Sequence, residues 1–234
     1  MIVSCRERKI AATCAIAGSV LLFIGTSLHP LGANPNDAGA AFAEYAADQL
    51  WRTSHLTQLA GVGLIMVALL SLAEQLKGGD GGGWARIAAG GMIASLTLAG
   101  ALQAVDGIAL KAIVDAWAVA PGAQKEAIFY AAFAVRQVEV GVASVVSLFF
   151  GLTAVLYGGA LLSDYTYPRW LGGLAILGGL PTAGAGIVMA YTGFSPLAMA
   201  ISMPAVSILL VWTLTLGVCM WRGRGAPPEE SAGQ

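Results

Sequence analysis

Charge is what this chain has least of. Only 11% of its 234 residues are Asp, Glu, Lys or Arg, against 57% hydrophobic residues, and its mean hydropathy is +0.76. Soluble domains carry about a quarter charged residues, so this composition belongs in a bilayer. The few charges nearly cancel, 12 basic against 13 acidic for a net −1. That leaves no basic face for polyphosphate, and nucleic-acid binding has no electrostatic support. Cysteine is scarce as well. Cys5, Cys14 and Cys219 are odd in number and share no short spacing, which excludes a complete disulfide framework and a CxxC redox motif; they read as small apolar packing residues. No HxxH, HExxH or ExxH spacing occurs. "KGGDGGG", residues 77–83, lacks the Lys-Ser/Thr ending of a phosphate loop and reads as a flexible linker.

What is abundant is apolar helix. Hydrocarbon about 30 Å thick needs about 20 apolar residues per crossing, and six stretches supply them: residues 10–28, 56–76, 87–110, 138–162, 170–191 and 197–221. The first follows Arg6, Arg8 and Lys9 as a secretory signal would, but its core is long and no convincing small-x-small cleavage site follows, so it reads as a retained helix. The expected fold is therefore an all-α bundle of six transmembrane helices in a single domain over residues 1–222. Residues 223–234, rich in Pro, Gly and charge, are expected to form a disordered cytoplasmic tail.

Lys and Arg set the orientation. With the N-terminus inside, the inner segments hold Arg6, Arg8, Lys9, Lys77, Arg86, Arg169, Arg222 and Arg224, whereas the outer ones hold Arg52, Lys111 and Lys125, with Arg136 embedded. Both termini are then cytoplasmic. On the outer side, an Asn36 or Asp37 cap starts a short helix over residues 37–51 that places Phe42, Tyr45 and Ala46 on one face and Glu44, Asp48 and Arg52 on the other. Such a helix would lie in the interface with Trp51 at headgroup level. The chain is helix-compatible on both sides of Pro121-Gly122, so the third and fourth spans are expected to overshoot the membrane as a helical hairpin, with Lys111 and Asp115 a solvated i, i+4 pair.

The polar exceptions gather at the same level. His29 ends the first span, His55 and Gln58 open the second, Gln103 and Asp106 lie near the outer end of the third, and Arg136, Gln137 and Glu139 open the fourth. An ionisable group at membrane depth costs at least ~2.5 kcal/mol if unpaired, so such groups face the bundle interior. Glu139 and Asp106 are the natural partners of Arg136. The cluster reads either as a salt-bridge lock or as a ligand site formed by Arg136, Glu139, Asp106, Gln103, His55, Gln58 and His29. His29, His55, Asp106 and Glu139 are also a chemically suitable ligand set for zinc or iron, and two histidines suffice for haem. However, Arg136 beside Glu139 repels a cation, so no metal, haem or other cofactor is expected.

The last two spans carry small residues instead, with Gly172, Gly173, Gly178, Gly179, Gly184 and Gly186 around Pro181 and with Pro204 in the sixth. Close helix approach, kinks at the two prolines, and a homo-oligomer or partner helix on the Gly-rich faces follow from that pattern. No inverted repeat supports a transporter fold. "YGGALLSDYTYPRWLGGLAILGGL" at 157–180, with "LHP" at 28–30 and "DGIALKAIVDAWAVAPG" at 106–122, resembles uncharacterised bacterial six-helix membrane proteins grouped as a domain of unknown function. That resemblance implies a bacterial inner-membrane location and transfers no activity.

The leading functional expectation is an outward-facing pocket among membrane lipids that binds a lipid-like or amphipathic small molecule, its polar head meeting Arg136. One rival is a membrane-embedded enzyme with Asp106 or Glu139 as general acid or base, in one variant with a metal at His29 and His55. The other is a structural subunit of a membrane complex.

Overall fold

The computed structural model describes residues 4–30 and 32–223; the tail from residue 224 onward, expected to be disordered, lies outside the described residues. Among the described residues eight α-helices follow one another: α1 (Cys5–Ser27), α2 (Ala38–Ala47), α3 (Trp51–Leu76), α4 (Gly82–Gln103), α5 (Lys111–Val119), α6 (Gly122–Ser163), α7 (Trp170–Thr192) and α8 (Pro196–Trp221). A π-helical stretch, Ala104–Leu110, joins α4 to α5 without a break. Six of these rods, counting Gly82–Val119 as one, are long and apolar enough to cross a membrane.

Local chemistry sets several of the starts. Ser4 Oγ accepts from Glu7 N at 3.2 Å while Glu7 Oε2 accepts from Ser4 N at 2.7 Å, a reciprocal cap on α1. Asp37 Oδ1 accepts from Ala40 N to start α2, and Ser195 Oγ accepts from Ala198 N to start α8 ahead of Pro196. Helices α7 and α8 run on through Pro181 and Pro204.

The six rods form a closed ring in chain order, each packed on the next, with α8 closing back onto α1. Inside the ring, toward the end that holds Cys5 and Trp221, large side chains fill the axis: Tyr157 donates its hydroxyl to Leu69 O at 2.8 Å, and its ring lies 6.4 Å from that of Trp212. Helices α6 and α7 meet backbone to backbone. A Cβ on Gly151 would strike Gly179 O, and one on Gly172 would strike Gly158 O, so the seven-residue glycine spacing on both helices is a packing seam.

Several expectations change. Trp51 opens α3 packed within the bundle at 1% exposure. Lys111 is buried, not solvated: besides Asp115 Oδ1 at 2.7 Å, its ammonium donates to Tyr45 O at 2.8 Å and Ala46 O at 3.1 Å, neutralising the carbonyl end of α2. The 77–83 loop is pinned, because Gly79 and Gly81 lie against Asp164 and the Ala160 carbonyl with no room for a Cβ.

Candidate functional site

At the end of the ring that carries α2, every polar residue singled out in the sequence lies on α3, α6, the α4 to π-helical run or the residue beyond the α1 cap. His55 and Glu139 are 2% exposed, Arg136 6% and Gln103 9%; His29, Gln58 and Asp106 are half-buried. Six of the seven form three bonded pairs, and His29 stands beside them. The first is Arg136 with Glu139: NH1 of the guanidinium donates to both carboxylate oxygens, at 2.7 and 2.6 Å. Its NH2 donates to Pro35 O at 3.2 Å, and the guanidinium carbon lies 4.7 Å from the Phe194 ring centre and 5.5 Å from that of Tyr45. The second is Gln103 with Gln58, Nε2 to Oε1 at 3.3 Å. The third is His55 with Asp106, Nε2 to Oδ2 at 3.0 Å.

This corrects one expectation. Asp106 does not pair with Arg136; its hydrogen bond goes to His55. The π-helical stretch explains how. It holds an extra residue in the turn, which re-aims both the side chain and the carbonyl of Asp106, and that carbonyl accepts from Trp51 Nε1 at 3.0 Å. Gly107, next in sequence, is pressed against the His55 ring.

Both histidines are oriented by backbone. His29 Nδ1 lies 2.9 Å from Pro30 O and His55 Nδ1 2.7 Å from Trp51 O. A carbonyl oxygen only accepts, so each Nδ1 carries the proton, and His55 Nε2 meets Asp106. The rings are close, 5.1 Å between centroids, and Trp51 stacks obliquely on both at 4.7 and 4.6 Å. Burial is the main cause holding the His29 imidazole below the usual histidine range, and the nearby His55 and Arg136 act in the same direction. Burial also pushes the Tyr45 phenol up to about 12. One donor atom from each of His29, His55 and Asp106 lies within 4.8 Å of the others.

A strap covers this end. Glu44 on α2 accepts from Gly32 N at 2.8 Å and Ala33 N at 3.1 Å, and Asn36 Nδ2 reaches Thr192 O at 3.4 Å. Three buried acceptors among the described residues nevertheless have no donor, Asp48 Oδ2 at the end of α2 and, one turn apart on the same run of helix, Asp106 Oδ1 and Gln103 Oε1. Nearly all buried polar atoms in native proteins are paired, so two neighbouring orphans call for a ligand, ion or water. Reasoning from sequence missed Tyr45, Trp51 and Pro35 as walls of the site, since each is apolar or backbone in its contribution. Lys111, a cation inside a helical run, was a signal that had pointed instead to solvent.

Compared with protein-family models, curated proteins and solved structures, the chain matches none of them. The site therefore stands on its own geometry.

Proposed function

We propose that this is a multi-pass membrane protein of a bacterial inner membrane, both termini cytoplasmic, whose outward-facing polar site binds the head of a lipid-like or amphipathic small molecule. The observation that carries this reading is the pair of orphaned acceptors, Asp106 Oδ1 and Gln103 Oε1. They want a hydrogen-bond donor or a cation. Arg136 is already spent on Glu139 and Pro35, so the head is a hydroxyl or amine group and meets Asp106 and Gln103, not Arg136 as the sequence pattern suggests. Length supports a site at the projecting end of the bundle: at 1.5 Å per residue the 42-residue α6 is about 63 Å long, roughly twice a hydrocarbon core. The α5–α6 hairpin then stands beyond the membrane, with α2 lying against it in the outer interface, and the site sits where an amphipath would keep its tail in lipid and its head among polar groups.

Native mass spectrometry of the protein released from detergent tests this. A single amphipathic species, about one per chain, should survive in the wild type and be lost from Gln103→Leu. Absence of any such species, or equal retention in the variant, would end the reading.

The structural-subunit reading draws support from a different observation, the bonding of Arg136 to both Glu139 oxygens and to Pro35 O, which makes that half of the cluster a lock between helix and strap. The enzyme reading loses Glu139 as a free base for the same reason and is left with Asp106.

A further inference from the structure

The arrangement around Asp106 goes beyond acceptors waiting for a head group. We infer that His29, His55 and Asp106 bind one divalent first-row transition-metal ion, of the zinc or iron(II) class, at the α2 end of the bundle. The inference uses the same site but does not depend on the amphipathic ligand.

Three features carry it. The first is orientation. Metal-binding histidines usually donate their second ring nitrogen to a carbonyl or carboxylate, which fixes the tautomer and aims the lone pair. Both histidines here do so, His29 from the bend after α1 to Pro30 O and His55 from α3 to Trp51 O, and one ligand atom from each lies within 4.8 Å of the other and of an Asp106 oxygen. The second is the contact between His55 Nε2 and Asp106 Oδ2. With Nδ1 already the donor, a neutral His55 has no proton left to offer a carboxylate. Either an additional proton or a shared cation must sit in that contact, whose separation is 3.0 Å, within a few tenths of an ångström of the roughly 3.4 Å between two ligands of one tetrahedral ion. The third is the orphaned Asp106 Oδ1, the free lone pairs of a carboxylate that a metal would engage.

The geometry needs one adjustment. Ligands of a tetrahedral ion at about 2.1 Å lie about 3.4 Å apart, and the three donor atoms here span up to 4.8 Å. His29 is the group able to close that gap, because it lies beyond the α1 cap and its ring has no hydrogen bond to any other helix, only one to its neighbour Pro30 O. The charge objection raised by Arg136 weakens too. Both Glu139 oxygens are bonded to its NH1, so the pair presents nearly zero net charge to an ion beside Asp106.

The donor set names the metal class. Two imidazoles and one carboxylate, with no sulfur and few oxygens, suit zinc, iron(II), cobalt or nickel and do not suit calcium or magnesium. Three protein ligands also leave coordination positions open, as sites that receive a further ligand do.

The test uses full-length protein in detergent, stripped with chelator and titrated with Co2+ and with Zn2+. Expected are one Co2+ per chain with a visible ligand-field absorption, its displacement by Zn2+, and a melting temperature raised by Zn2+ but unmoved by Mg2+ or Ca2+. His29→Gln should melt like the stripped wild type, since His29 makes no hydrogen bond outside the chain end it belongs to, yet bind at least roughly tenfold more weakly. Asp106→Asn should lose affinity in the same range. His55→Ala should abolish binding, and because His55 is buried its folding is checked by the melting curve of the metal-free variant. A folded wild type that shows no Co2+ spectrum and no Zn2+ shift would overturn the inference, as would binding in His29→Gln and Asp106→Asn equal to the wild type. Native mass spectrometry on the stripped protein separates this from the amphipath reading: the bound amphipath should persist without metal if that reading is right and the metal inference wrong.

Discussion

His55 meets Asp106 at 3.0 Å only because the residue after Asp106 has no side chain. A Cβ on Gly107 would fall 2.6 Å from His55 Cβ. Sequence, in the form of one glycine, thereby sets the distance between two groups from different helices at the centre of the site.

Gly107→Ala should therefore push His55 away and destabilise the protein in detergent by about 1–3 kcal/mol, the usual cost of overfilling a packed contact. Gly100→Ala is the control. Nothing lies within 4 Å of a Cβ there, so it should be neutral or stabilising by up to about 1 kcal/mol through helix propensity. Equal melting temperatures for the two variants would show that His55 is not held against Gly107.

The Arg136–Glu139 pair should behave as a buried pair with a private partner. Glu139→Gln strands a cation that is 6% exposed and should cost about 3–5 kcal/mol. Adding Arg136→Met to that variant should recover part of the loss, because the unpaired charge is gone. Asp106→Asn combined with Glu139→Gln should give losses that add, within about 0.5 kcal/mol, since the two carboxylates serve different partners. A sub-kilocalorie effect of Glu139→Gln would mean that the pair reaches water.

Much of this was legible in the chain itself, and the reason is physical. Apolar length alone locates six crossings, and the cost of an unpaired charge at depth gathers His29, His55, Asp106, Arg136 and Glu139 at one end. Pairing within that cluster was not legible. Spacing of three residues brings Arg136 to Glu139 on one helical face, but whether Asp106 joins them depends on a local change of helical pitch at Ala104–Leu110, which no propensity signals. Lys111 was misread because it lies on a segment expected to stand in water, whereas it is buried to satisfy carbonyls at the end of α2, and the burial of Trp51 on the carbonyl freed by the π-helical turn has no sequence signal either.

Orientation is open to direct measurement. In a background lacking Cys5, Cys14 and Cys219, a cysteine at Gly39 should react with an impermeant thiol reagent added outside, and one at Gly78 should not. Both positions are exposed, and neither has a neighbour closer than 3.6 Å to an added Cβ, so failure to fold is not the expected obstacle. Gly81, on the same loop, is a poor choice because its Cβ would meet the Ala160 carbonyl. Labelling at Gly78 alone would reverse the orientation and turn the site toward the cytoplasm.

Tyr45 gives a pH signature for the wall of the site. It is 4% exposed and stacked on Trp51 at 4.2 Å between centroids; burial of the phenolate raises its pKa to about 12, with Arg136 pulling the other way. An unfolded tyrosine ionises near 10. Between about 10 and about 12 the unfolded chain has therefore released a proton that the folded chain retains, so the unfolded state binds fewer protons and folding stability falls as pH rises through that window. The contribution is fully present below about 10. Tyr45→Phe keeps the ring contacts and removes the proton, so its stability should decline less steeply over the same range, and the tyrosinate absorbance of wild type minus Tyr45→Phe should develop only near pH 12. A difference spectrum already complete near pH 10 would show water at the Tyr45 hydroxyl. In that case the strap and α2 do not close the site, and the orphaned acceptors of Asp106 and Gln103 would be solvated instead of awaiting a ligand.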